Sequence, residues 1–94
     1  METITNQNDT IKLVDYFTSA QLLIFLEIIC ESENINYAST LYNIGKQFSL
    51  TPDKSKTLDE CLSNIDSNDL YKAINEYDKT ISEKLFNLML ENTI

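Results

Sequence analysis

Apolar residues recur along this chain at intervals of three and four positions, and the strict alternation typical of strands is absent. This spacing places apolar side chains on one stripe of a helix. One glycine and one proline are too few for a turn-rich β protein. The sequence therefore predicts an all-α fold, a compact bundle of four to five helices that are mostly antiparallel and joined by short loops. A six-helix, death-type arrangement is the alternative.

Residues 22–30 form the most apolar part of the chain and interrupt their apolar run only at Glu27. A helix in water is normally apolar on one stripe only, so this segment should be surrounded by the rest of the chain or by a partner. Thr18 and Gln21 have the spacing of a capping box. We therefore expect the central helix to run from residue 19 to about residue 31.

The other expected elements follow from the same spacing and from candidate caps. Residues 1–8 are polar and predicted to be a flexible segment, whereas residues 9–94 should form a single helical domain. The expected helices are 10–17 after Asp9, 37–48 after Asn36 or Asn34, 52–65 after Thr51, and 68–91 after Asp66 or Ser67. The last and longest helix carries a nearly heptad stripe of Leu70, Ile74, Tyr77, Ile81, Leu85 and Leu88.

Gly45 lies inside one expected helix, where glycine costs about 1 kcal/mol relative to alanine. One interpretation is a tolerated cost. The other is a close approach of two helices on the side shared by Ala38 and Gly45. The pattern alone leaves both open.

The net charge of −8 changes the picture of possible partners. Nucleic acids and anionic membranes attract basic surfaces, so direct binding to either is not expected. A basic protein partner remains, as does the simpler role of acidity in solubility. All seven cations are lysine, and ten asparagines and eleven isoleucines accompany them, a bias typical of an AT-rich bacterial or viral source. The first residues show no signal peptide, which predicts a cytoplasmic protein, or one in the host cytosol.

The residue inventory argues against catalysis and bound cofactors. The chain has no histidine, so an imidazole acid–base relay and a histidine metal ligand are ruled out. A single glycine cannot build a phosphate-binding loop. Cys30 and Cys61 are too few for a structural zinc site and are expected to be free thiols in apolar faces. We therefore predict a non-enzyme without metal or cofactor.

Candidate partner-binding residues cluster on the central helix. Leu23, Ile24, Glu27 and Glu31 share one side of it at spacings of three and four. The two carboxylates should face water and bring at least one aliphatic neighbour toward the surface. An exposed aliphatic residue beside acids suits a partner site, although a merely solvated helix face has the same pattern.

Two tyrosines extend this candidate patch. Tyr42 and Tyr71 fall beside the core stripes of their helices, whereas Tyr37 and Tyr77 lie on those stripes and should have buried rings with hydroxyls in contact with water. Tyrosine is a preferred anchor in protein interfaces, although partial burial in the core is the alternative for Tyr42 and Tyr71.

The leading functional hypothesis is a small acidic protein-binding module of the inhibitor, immunity-protein, secretion-chaperone or adaptor type. It would use an apolar and tyrosine patch rimmed by acids. One alternative is a regulatory subunit that acts on a nucleic-acid-binding protein, for example by mimicking phosphate. The other is a structural homodimer joined through the last helix. No known family is recognisable in the motifs.

Overall fold

The computed structural model describes residues 13–51 and 55–93, and the secondary structure within these ranges is entirely helical. The all-α class is thereby confirmed for the described residues. Their helices are α1 (Ser19–Ser32), α2 (Tyr37–Lys46), α3 (Leu58–Ser63), α4 (Ser67–Tyr77) and α5 (Lys79–Glu91). The flexible segment expected at 1–8 and the cap expected at Asp9 lie outside the described ranges. Leu13 and Val14 are helical, but residues 15–17, which were expected in the same helix, form a turn and a bend.

Side-chain caps fix where the helices begin. The Thr18 hydroxyl accepts the Gln21 N–H, and the Gln21 side chain accepts the Thr18 N–H, so the predicted capping box is present at α1. Asn36, and not Asn34, caps α2 through the Ser39 N–H at 2.8 Å. Asn34 instead takes a left-handed backbone (φ 59°) after α1, a conformation that asparagine tolerates well. Asp66 caps α4, one of the two candidates for that position.

The helix predicted over residues 52–65 is shorter than expected in its described part, because α3 covers only Leu58–Ser63. Ser55, Lys56 and Thr57 are not helical, and α3 begins only at Leu58. The Thr57 hydroxyl accepts the Glu60 N–H at 3.2 Å, and acidic Asp59 and Glu60 occupy the first turn, where the helix dipole favours them. Ser55, Lys56 and Thr57 are polar, so a helix over these residues would bury no apolar side chain and would gain no stability from packing. The proposed first helical residues, 52–54, lie outside the described ranges.

The long helix predicted over 68–91 is broken at Asp78. This residue has extended backbone angles (φ −156°, ψ 109°), and its carboxylate accepts the N–H groups of Thr80 at 2.9 Å and Ile81 at 3.3 Å. Aspartate bonds readily to nearby backbone N–H groups, which favours a cap over a helix interior. Ser82 ties the two helices together because its hydroxyl donates to Asn75 Oδ1 at 2.6 Å.

The core forms around α1, which packs against α2, α3, α4 and α5. Fully buried side chains come from every described helix. The largest of them are Leu22, Leu26, Ile44, Leu62, Leu70, Ile74, Leu85 and Met89. The central position predicted for the 19–31 segment is therefore confirmed. Tyr77, by contrast, is exposed, contrary to its expected place in the core.

Gly45 lies where two helices approach closely. A Cβ atom at this position would come within 2.9 Å of Leu58 Cδ1, on the first residue of α3. Ala38, the other residue proposed for this contact, is exposed. The close approach therefore belongs to Gly45 alone. Cys30 and Cys61 are free, as expected, with Cys30 buried and Cys61 half-buried.

Candidate functional site

The outward face of α1 carries two exposed isoleucines. Ile24 is 57% exposed and Ile28 is 49% exposed, whereas their neighbours Leu23 and Ile29 are buried. The rest of the chain therefore does not cover this face, and the other expectation for residues 22–30, coverage by a partner, stays a prediction. The expectation that at least one of Leu23 and Ile24 would be exposed is met by Ile24. Exposed single aliphatic residues are common, so their surroundings decide whether this face forms a site.

Ile24 borders an open groove between α1 and α3, with a volume of about 240 Å³, which we call the α1–α3 groove. Ala20, Leu23, Ile24 and Glu27 line it from α1. Asp59, Glu60 and Ser63 line it from α3, and Tyr37 at the start of α2 completes it. The groove thus joins an aliphatic wall to three carboxylates.

Tyr37 links the two helices that form the groove. Its hydroxyl lies 3.2 Å from the Leu23 carbonyl oxygen and 3.3 Å from Asp59 Oδ1, so its single proton is shared between two acceptors. Burial raises the pKa of Tyr37 well above its usual range, and the negative charge of Asp59 raises it further. The hydroxyl therefore stays protonated and holds Asp59 in place as a hydrogen-bond donor.

The groove is electrostatically negative. Glu27, Asp59 and Glu60 contribute carboxylates, and no lysine is among the described residues that line it. Across the described part of the chain, no three acidic, cysteine or histidine residues are grouped in a way that could hold a metal ion. The arrangement is suited to attracting a cationic group to an aliphatic surface.

The structure brings together only part of the sequence-predicted patch. Ile24 and Glu27 lie at the α1–α3 groove, and Leu23 is a buried part of its wall. Glu31 is exposed one turn further along α1. The partner-binding role of all these residues stays a prediction.

The two predicted tyrosines lie elsewhere. Tyr42 is 60% exposed on α2, where the Lys46 amine lies 5.1 Å from its ring centre. Tyr71 is half-buried between α4 and α5, and its hydroxyl donates to the Ser82 carbonyl at 3.4 Å. Burial raises the pKa of Tyr71. Neither tyrosine is among the residues lining the α1–α3 groove.

Sequence reasoning missed five of the residues that line the groove: Ala20, Tyr37, Asp59, Glu60 and Ser63. Tyr37 was assigned to the core because it lies on the apolar stripe of its helix. Asp59 and Glu60 are adjacent in sequence, and neighbouring positions of a helix do not face each other, so their spacing does not predict that both line one groove. The signal that could have found them is the Thr57 cap, since it makes both acids first-turn residues of a short helix facing α1.

None of the described helices has both the length and the apolar character that crossing a membrane requires. No family model, curated protein or solved structure matches this chain.

Proposed function

We propose that this protein is a small acidic, non-enzymatic binding module for another protein, of the inhibitor, immunity-protein, secretion-chaperone or adaptor type, acting in the cytosol. The observation that carries the proposal is Ile24, an exposed aliphatic side chain at the edge of a groove that also presents Glu27, Asp59 and Glu60. Interfaces combine such a desolvated apolar centre with a polar rim. The partner surface would be basic and would carry an apolar anchor.

Affinity and specificity would come from different parts of the groove. Covering Ile24 removes apolar area from water, which favours association with the partner. The carboxylates would mainly accelerate encounter with a basic partner and reject acidic ones. Because Tyr37 donates to Asp59, that carboxylate is held on the groove wall before a partner arrives. Such preorganisation lowers the cost of binding.

We further propose that the bundle behind this groove is mostly antiparallel. The support is the shortness of the connections, since Asp78 alone separates α4 from α5 and residues 33–36 separate α1 from α2. Short connections favour antiparallel neighbours in helical bundles.

Site-specific photo-cross-linking in the native host tests the proposed function. A benzophenone amino acid at position 24 should capture one defined protein, identified by mass spectrometry. The same amino acid at Glu76, an exposed residue of α4 outside the groove, should not capture it. Capture of the same proteins from both positions, or of none from position 24, would refute the proposal.

A salt titration of the captured complex separates this proposal from phosphate mimicry. A complex centred on Ile24 should weaken only modestly between low and physiological salt, because apolar burial is not screened. A phosphate mimic would bind through many ion pairs and should weaken steeply over the same range.

A further inference from the structure

A second groove flanks α1 on its other side. It lies between α1 and α5, has a volume of about 230 Å³, and we call it the α1–α5 groove. Ile28, Ile29 and Ser32 line it from α1, whereas Lys84 and Leu88 line it from α5. Ile24 borders the first groove and Ile28 the second. The two isoleucines thus form a ridge between two depressions, which we call the isoleucine ridge.

We propose that the occupant of this surface is a basic amphipathic helix of the partner, seated across the isoleucine ridge with apolar side chains in both grooves. The inference rests on the proposed protein-binding function. It adds that the partner also contacts the α1–α5 groove and that it binds through a helix.

The spacing of the ridge fits a helix. Ile24 and Ile28 are four positions apart on α1, which places their Cβ atoms roughly 5–6 Å from each other. Side chains on a helix form ridges with the same separation, and helices pack by placing such ridges into facing grooves. A groove-binding helix is recognised through apolar anchors at intervals of three and four. A ridge between two grooves therefore offers complementary places for two successive anchors.

The charge around the ridge selects a basic helix. Glu27 and Glu31 lie on the exposed face of α1, and Asp59 and Glu60 lie beyond the first groove. Lys84 is the one cationic residue among the described residues that line the α1–α5 groove. Its amine lies 3.3 Å from a carboxylate oxygen of Glu33, which offsets its charge. The field over the ridge is thus negative.

The same charges disfavour a second copy of this chain. Two chains joined through α1 would bring the carboxylates of Glu27 and Glu31 toward their own counterparts. Each chain also carries a net charge of −8, so approach of two copies is repulsive. The same carboxylates that repel a second copy of this chain attract a basic partner.

A titration of the ¹⁵N-labelled protein with synthetic peptides tests this inference by NMR. The probe is an 18-residue peptide of leucine and lysine, with leucines on one helical face. One control has the same composition with its leucines spread around the helix, and the other replaces lysine by glutamate. The amphipathic basic peptide should shift amide signals along residues 24–31 and in both grooves, with the largest shifts at the ridge. Binding of the spread-leucine peptide with equal affinity and the same pattern would overturn the inference.

Paired serine variants separate the ridge from general attraction between opposite charges. Ile24→Ser combined with Ile28→Ser leaves the net charge unchanged and should weaken binding of the amphipathic peptide by about tenfold or more. Both positions are about half exposed, and the dispersion of the NMR spectrum verifies that the variant folds. Glu27→Gln with Glu31→Gln, a second variant at exposed positions, should weaken the same peptide and reduce its salt dependence. Unchanged affinity in the serine variant would overturn the inference.

The single variants distinguish failure of this inference from failure of the proposed function. If cross-linking from position 24 captures a partner and Ile28→Ser leaves that complex intact, the partner uses the first groove only and the inference fails alone. If position 24 captures nothing, the proposed function fails. Sedimentation of the pure protein should give a monomer, and a dimer abolished by the double serine variant would overturn the inference in favour of a second copy.

Discussion

Replacing Leu23 or Ile24 by serine should give opposite outcomes, although the two residues are adjacent on α1. Leu23 is 3% exposed and lies against the core, whereas Ile24 is 57% exposed. By helix propensity alone, Leu23→Ser costs a few tenths of a kcal/mol and Ile24→Ser almost nothing, because isoleucine and serine have similar propensities. Any larger difference between the variants therefore measures burial.

The size of that difference follows from the two environments. Leu23→Ser leaves a cavity and buries a hydroxyl, which should cost about 3–5 kcal/mol. Ile24→Ser removes a side chain that is mostly in water already, so the cost should be about 0.5–1 kcal/mol. In a domain of this size, 1 kcal/mol shifts the melting temperature by roughly 4–8 °C. Leu23→Ser should thus melt at least about 8 °C below Ile24→Ser.

Thermal melts followed by circular dichroism at 222 nm measure both variants against the parent. Urea titrations at 25 °C supply the free energies of unfolding, and equal m-values would show that both variants unfold from equally compact states. Equal destabilisation by the two substitutions would refute the placement of Ile24 on the outer face of α1. It would also remove the basis for using Ile24→Ser as a binding variant.

Three further outcomes test other parts of the structure. Asp78→Ala should lower stability by about 1 kcal/mol because the α5 cap is lost, whereas Asp78→Ser, which also removes the charge, should retain most of it; equal losses would show that the cap contributes nothing. Tyr37→Phe should reduce the loss of stability between pH 8 and pH 11, measured by urea unfolding. Because the pKa of Tyr37 is raised in the folded state, its protonated hydroxyl contributes fully to stability below the unfolded pKa of about 10, and this contribution is lost as the pH rises above that value. A loss of stability as large in Tyr37→Phe as in the parent would contradict the raised pKa of Tyr37. Leu26→Ala and Ile81→Ala should each cost about 2–5 kcal/mol in calorimetry, and a variant that melts like the parent would show that its residue is not in the core.

Local signals in the sequence were sufficient where a helix end depends on neighbouring residues only. The Thr18–Gln21 capping box and the Asn36 cap are decided by side chains that bond backbone groups three positions away. The apolar spacing likewise determined the helical class, since it is a property of the chain itself. These features were predicted and are present.

The same local rules failed where two structures satisfy one pattern. The apolar stripe continues from Ile74 through Tyr77 to Ile81 with helical spacing, so periodicity cannot distinguish one long helix from two helices that meet at Asp78. The break is favoured by the bonds of the Asp78 carboxylate to α5 and by the Ser82–Asn75 contact across it. The second of these exists only after α4 and α5 have packed.

Only the tertiary structure decided which face of α1 meets water. The sequence established a central helix so apolar that most of its faces could be buried, and it placed Ile24 beside acids. It did not contain the packing of α2, α3, α4 and α5 around α1, which covers Leu23 and leaves Ile24 and Ile28 exposed. The sequence also did not predict the hydrogen bond from the Tyr37 hydroxyl to Asp59, which lies 22 positions further along the chain. Burial and groove formation depend on neighbours that are distant in sequence, and hydrophobic driving forces carry no direction of their own to specify them.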